Sequence, residues 1–352
     1  MKLCTWGDIC TLEYGKGLRG YASEPDENNC FRVFGTNGPI GWTNEPLCQE
    51  AGIIVGRKGA YRGVHYSPDP FFVIDTAYFL RLTSPNVDLK WAYFKLLTVD
   101  INRIDVGAAI PTTSRDAFYS VPLDLPPLST QHRIADMLSA YDNLIENNLR
   151  RMALLEESAR LLYREWFVRL RFPGHEHARI VNGMPEGWER KRIGDVLTLN
   201  YGKALKESDR IEGPFPVYGS SGVVGTHSEA FVKGPGIIVG RKGNVGSVYW
   251  AESDFWPIDT VYFIESHQSS YFLFHNLQHQ SFLNSDGAVP GLNRNYAYSL
   301  PVLFPKQMIH EQFEQMVTPI YEQMSKLRTM NQKLKAARNL LLPRLISGEI
   351  AV

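Results

Sequence analysis

Arginine and lysine stand side by side between glycines in GRKG (56–59), and the same four letters return at 240–243. Glycine lets backbone N–H groups approach an anion, and two adjacent cations would complete a phosphate-binding turn. The side chains are Arg57 and Lys58 in the first copy, Arg241 and Lys242 in the second. A tight turn with solvated charges is the plain alternative, and duplication preserves scaffold as readily as function. Tyr14 and Lys16 of one YGK triplet, with Tyr201 and Lys203 of another, are further candidate contacts. Such contacts would position a protein on nucleic acid without reading its sequence.

Beside the shared letters the side chains diverge. Thr36 and Asn37 occupy the slot of Ser220 and Ser221. AYRGVHYSPDPFFV (60–73), with Tyr61 and Arg62, fills the slot of NVGSVYWAESDFWP (244–257), which opens on Asn244. Residues 112–116, with Arg115, face residues 291–295, with Asn293 and Arg294. A duplicated reader of base edges would keep its frame and vary such hydrogen-bonding side chains. Neutral drift of surface loops predicts the same pattern.

Other chemistry finds little support. The cysteines (Cys4, Cys10, Cys30, Cys48) lie in the first 50 residues without a CxxC, so a reduced, structural role is expected rather than a zinc site. GSSGVVG (219–225) lacks the GK[ST] ending of a phosphate loop. Asp75 and Asp259, each within IDT, read as core or capping residues of apolar strands rather than acid–base catalysts. No Ser/His/Asp or Cys/His grouping stands out, and no metal ligand set is identified. The chain reads as non-catalytic.

The elements that position these residues are themselves duplicated. WGDICTLEYGKGL (6–18) matches IGDVLTLNYGKAL (193–205), and VFGTNGPIG (33–41) matches VYGSSGVVG (217–225). GIIVGRKG (52–59) repeats at 236–243, and VIDTAYFL (73–80) matches PIDTVYFI (257–264). Pro111, Arg115 and YSVP (119–122) match Pro290, Arg294 and YSLP (298–301). Order is kept throughout. Each copy begins with β-branched and aromatic runs broken by Gly, Pro and Asn, the pattern of short strands in an α+β domain. A stretch with hardly a glycine follows, after PPLSTQ (126–131) or FPKQ (304–307).

Those two stretches carry heptads. One seam runs Ile134, Leu138, Tyr141, Ile145, Asn148, Met152, Leu155, Ala159, Leu162, Trp166. The other runs Phe313, Val317, Ile320, Met324, Leu327, Asn331, Leu334, Arg338, Leu341, Leu345. Laid antiparallel with Asn148 opposite Asn331, the seams align from Ile134 on Leu345 to Trp166 on Phe313. A buried unpaired amide costs about 1–3 kcal/mol, so the asparagines would fix this register. Pro319 and Pro343 are expected to kink or end the second helix locally. A helix of about 40 residues is about 60 Å long, enough to act as a ruler between half-sites on double-stranded DNA.

A length of 352 residues suits two ordinary domains, and 44% apolar with 21% charged residues is globular. Apolar runs are too short for a membrane span and the N-terminus has no apolar signal region, so a soluble cytoplasmic protein is expected. Basic and acidic residues balance at 37 each, which argues mildly against a lone nucleic-acid binder.

This order of parts resembles the specificity subunit of type I restriction–modification systems. The most specific pieces are the duplicated GIIVGRKG…IDT block, LPPLSTQHRIADMLSAYDNLIENN (125–148) and the tail LLPRLISGEI (341–350). The resemblance implies target-recognition domains at 1–127 and 189–305, long helices at 128–171 and 306–352 (with the tail), and a linker at 172–188. It implies an α+β fold with two similar target-recognition domains joined by two long antiparallel coiled-coil helices in pseudo-twofold symmetry. Each domain would read half of a bipartite site, with the helices setting the spacer. Partners would be double-stranded DNA, two methyltransferase subunits and restriction/translocase subunits. S-adenosylmethionine, ATP and Mg would belong to those subunits and none to this chain. A self-sufficient methyltransferase or nuclease, or a scaffold spacing two modules for protein partners, are the rival readings.

Overall fold

A computed structural model describes residues 2–104, 111–282 and 291–352; Pro290, paired with Pro111 by the repeat, lies outside them. The chain forms two compact units, Met1–Asn147 with Met330–Val352, and Asn148–Thr329. Each long helix is therefore shared between units, and the division falls beside Asn148 and Asn331.

In the first unit the strands are β1 (Lys2–Thr5), β2 (Cys10–Tyr14), β3 (Phe31–Gly35), β4 (Gly38–Thr43), β5 (Gly52–Gly56), β6 (Val64–Ser67), β7 (Phe71–Val73), β8 (Ala77–Leu82) and β9 (Pro122–Leu125). Helices α1 (Leu89–Leu96) and α2 (Arg115–Tyr119) precede the long α3 (Leu128–Tyr163). One antiparallel sheet runs β2-β8-β5-β6; a second runs β4-β3-β7, with β3 and β7 parallel; β1 pairs β9. The octapeptide explains itself here. β5 is its GIIVG and is buried along its whole length, because both faces of its sheet are covered. Ile53 and Val55 join one core with Trp6, Trp91 and Phe94, while Ile54 joins another with Phe34, Phe71 and Phe79.

The second unit opens on the end of α3 and a π-turn (Arg164–Val168), then a two-stranded hairpin of β10 (Ile180–Val181) and β11 (Met184–Pro185). Then come β12 (Glu189–Arg192), α4 (Ile193–Val196), β13 (Asn200–Tyr201), β14 (Phe215–Gly219), β15 (Gly222–His227), β16 (Gly236–Gly240), β17 (Val248–Ala251), β18 (Trp256–Pro257) and β19 (Val261–Ile264). Helices α5 (Tyr271–His279) and α6 (Arg294–Ser299), β20 (Pro301–Phe304) and α7 (Gln307–Ile346) complete the chain. Its sheets run β13-β19-β16-β17 and β15-β14-β18, with β12 on β20, which is the first unit's topology again. Even the bulge recurs, between Val33 and Phe34 and between Val217 and Tyr218.

Glycine at the YGK triplet is a packing requirement in both copies. A Cβ on Gly15 would lie 2.1 Å from the Ile74 carbonyl oxygen, and one on Gly202 would lie 2.0 Å from that of Ile258. No side chain fits there.

The helical pairing is antiparallel within each unit. In the first, Ile134 and Leu138 of α3 share a core with Leu345 of α7, and the Asn331 side-chain amide donates to the Ile145 carbonyl at 3.2 Å. Arg338, a cation on the seam, is met by Asp142 at 2.5 Å. In the second unit the opposite ends meet: Trp166 and Phe313 rings lie 5.9 Å apart, packed with Phe167 and Phe272. Every seam residue is buried or half-buried. The prolines depart from expectation: α7 runs unbroken through Pro319 and Pro343, both exposed, so each loses a hydrogen bond without disturbing the packed face.

Candidate nucleic-acid interface

The GRKG turn follows directly from β5 and from β16. Its backbone is already committed. The N–H groups of Arg57 and Lys58 both donate to the Thr76 carbonyl, at 3.0 and 3.1 Å, and Gly59 N–H donates to Pro111 at 3.0 Å. In the second unit Arg241 and Lys242 N–H donate to Thr260, at 2.9 and 3.0 Å. The expected cradle of backbone donors is therefore corrected: the arginine and lysine N–H groups hold the turn to the residue just before β8 in the first unit and just before β19 in the second. The cationic side chains carry whatever the turn offers an anion.

Those side chains meet tyrosines. The Arg57 guanidinium lies 4.6 Å from the centre of the Tyr14 ring and 5.7 Å from Tyr78, and Arg115 lies 4.7 Å from Tyr14. Arg241 lies 4.9 Å from Tyr201 and 5.8 Å from Tyr262, and Arg294 lies 5.0 Å from Tyr201. The tyrosines are 5.1 Å apart in each unit. Arg57 Nη1 donates to the Asp75 carbonyl and Arg241 Nη1 to the Asp259 carbonyl, both at 3.0 Å. The two aspartates were expected in apolar strands; they occupy exposed turns instead, and their backbone oxygens aim the arginines. Tyr78 and Tyr262 were not anticipated as part of this group. The signal was available, because both stand sixth in the run that begins one residue before IDT.

The diverging residues surround this shared cluster. Thr36 and Asn37 form the β3–β4 turn, where the Thr36 hydroxyl donates to the Thr76 carbonyl at 3.0 Å and Asn37 is exposed. Ser220 and Ser221 form the β14–β15 turn; the Ser220 carbonyl accepts from the hydroxyls of Ser247 at 2.6 Å and Tyr249 at 3.2 Å, and Ser221 is exposed. Lys16, Tyr61, Lys203, Lys242 and Asn244 are exposed and Lys58 is half-buried. Asn293 caps α6, its side-chain oxygen accepting from Asn295 and Tyr296 N–H at 2.8 and 3.2 Å. Arg62 is a correction. It is only 4% exposed and donates to the carbonyl of Asn102 at 2.8 Å, so it braces a loop and does not face a ligand.

Cys10 and Cys48 are buried. Burial pushes the Cys10 thiol up to about 12 and the Cys48 thiol to about 11, far from a reactive thiolate. Among the described residues no group of three His, Cys, Asp or Glu could hold a metal ion, and no helix is long and apolar enough to cross a membrane.

Comparison with known proteins agrees with the duplicated architecture. The pattern of the type I restriction modification DNA specificity domain matches residues 1–157 and 185–318. The type I restriction enzyme MjaIX specificity subunit of Methanocaldococcus jannaschii is 24% identical over 295 residues, covering 73% of this chain and 67% of its own. The HindI specificity subunit of Haemophilus influenzae is 22% identical, over 80% of this chain and 79% of its own. The crystal structure of a type I restriction-modification system S subunit from M. genitalium superposes with a TM-score of 0.62 at 20% identity, covering 98% of this chain and 95% of that one. With a matching segment in each of its two repeats, the chain belongs to the type I restriction modification DNA specificity domain family.

Proposed function

We propose that this chain is the specificity subunit of a type I restriction–modification complex and that each unit reads one half of a bipartite DNA site. The observation that carries the reading is one fold built twice, with identical strand order, around turns whose exposed side chains differ. Asn37 and Tyr61 would meet one half-site; Ser221 and Asn244 would meet the other. Lys16, Lys58, Lys203 and Lys242 add phosphate contacts. The paired helices would set the unspecified spacer, with Asn148 and Asn331 fixing register.

A formal net charge of zero suits a subunit that shares DNA binding with partners. Those partners are two methyltransferase subunits, which bring S-adenosylmethionine, and restriction/translocase subunits, which bring ATP and Mg. The assembly acts on DNA in the cytoplasm. The chain itself performs no chemistry. The test is reconstitution of adenine methylation with and without the full chain. Methylation confined to one bipartite motif, and only when the chain is present, is expected; methyl transfer by the chain alone, or the same motif without it, would refute the reading.

A further inference from the structure

Several surface arginines of this chain meet a carboxylate: Arg81 meets Glu13, Arg160 meets Glu157, Arg328 meets Glu252 and Arg344 meets Glu349. Arg57, Arg115, Arg241 and Arg294 differ. Among the described residues none of the four has a carboxylate within salt-bridge distance, although they are gathered in pairs over single tyrosine rings. Like charges held together cost Coulomb energy that an anion would relieve. Tyr78 and Tyr262, beside the same arginines, bring no negative charge to relieve it. Burial pushes the Tyr78 hydroxyl up and that of Tyr262 to about 12, so both stay neutral.

The two clusters agree within 0.3 Å on every matched arginine–tyrosine distance, while the turns beside them carry different residues. A group that reads bases should vary with the half-site. A group that grips the backbone need not, because every nucleotide step presents the same phosphodiester. The link to the turns is also visible. The Thr76 carbonyl that holds Arg57 and Lys58 N–H also accepts from Thr36, and Asn244 N–H, two residues beyond Lys242, donates to the Ser220 hydroxyl at 3.4 Å.

We infer that each Arg–Tyr–Arg cluster (Arg57, Tyr14, Arg115 and Arg241, Tyr201, Arg294) is a sequence-blind clamp on one DNA phosphate, and that it positions the neighbouring turn to read bases. The inference rests on the proposed DNA-reading function and deepens it. It makes Arg115 and Arg294 positioning residues, although they stand in a segment that diverges between copies.

The test uses the full chain assembled with its methyltransferase subunits. Binding is measured across a salt series on a duplex carrying the methylated motif and on the same duplex with the motif scrambled. Arg57→Ala with Arg115→Ala should weaken both duplexes by the same factor and flatten the salt dependence by about 0.9 in log–log slope per lost phosphate contact. The methylated motif should not change. Arg115→Gln alone, which removes an exposed side chain, should show the smaller form of the same effect if the double variant does not fold. Arg115→Lys should restore most of the slope. A relaxed motif at one base position with unchanged scrambled-duplex binding would overturn the clamp, as would an unchanged slope. Failure of the unaltered complex to prefer its motif would instead overturn the DNA-reading function itself.

Discussion

Glycine at position 15 and histidine at position 275 each answer to their surroundings in a measurable way. Gly15→Ala would drive a methyl group into the Ile74 backbone, and backbone does not yield as a flexible side chain does. A loss of about 1–3 kcal/mol is expected, read as a lowered urea midpoint; an unchanged midpoint would contradict the packing. His275 is 1% exposed, with Nε2 3.0 Å from the Tyr321 hydroxyl and Tyr163 stacked on its ring. Burial, with His279 nearby, lowers its pKa from 6.5 to about 4. The unfolded chain thus binds a proton more readily than the fold between those values, so stability falls as pH drops from 6.5 toward 4. The slope approaches about 1.4 kcal/mol per pH unit from this group. Urea titrations should show a steeper acid decline in the wild type than in His275→Phe, and equal declines would argue against it. Arg62 shows what letters cannot give. An arginine in a Gly-rich loop reads as a ligand contact until neighbouring carbonyls are seen to close around it.

At the scale of elements, periodicity foretold more than composition did. The heptad seams lie on the buried faces of α3 and α7, which also bury Ala135, Tyr163, Ile309 and Tyr321 beside them. The strand character of GIIV was equally open, since an unbroken β-branched run needs cover on both faces. The turn chemistry was not, because hydrogen bonds from Arg57 and Lys58 to Thr76 depend on a second turn about twenty residues downstream. The prolines do not break α7, because their exposed positions confine the cost to one missing hydrogen bond each. Pro319→Ala restores that donor inside a continuous helix and should stabilise the protein by up to about 3 kcal/mol. A lower melting temperature for this variant would show that the ring is needed where it stands.

For the whole molecule, the duplicated sequence announced a duplicated fold, and the twin topologies and the family match bear that out. The spacer role belongs to this scale. Removing one heptad from each of α3 and α7 shortens each by about 10.5 Å, or about three base pairs. The recovered spacer should shrink while both half-sites persist; an unchanged spacer would refute the ruler. The most direct test of the central claim is single-molecule sequencing of methylated host DNA from cells carrying the system. It should be run with the native chain and with Ser220→Thr plus Ser221→Asn, which writes the first unit's turn into the second. Two specified blocks flanking an unspecified spacer are expected, with only one block altered by the exchange. A single continuous motif, or changes in both blocks at once, would contradict it.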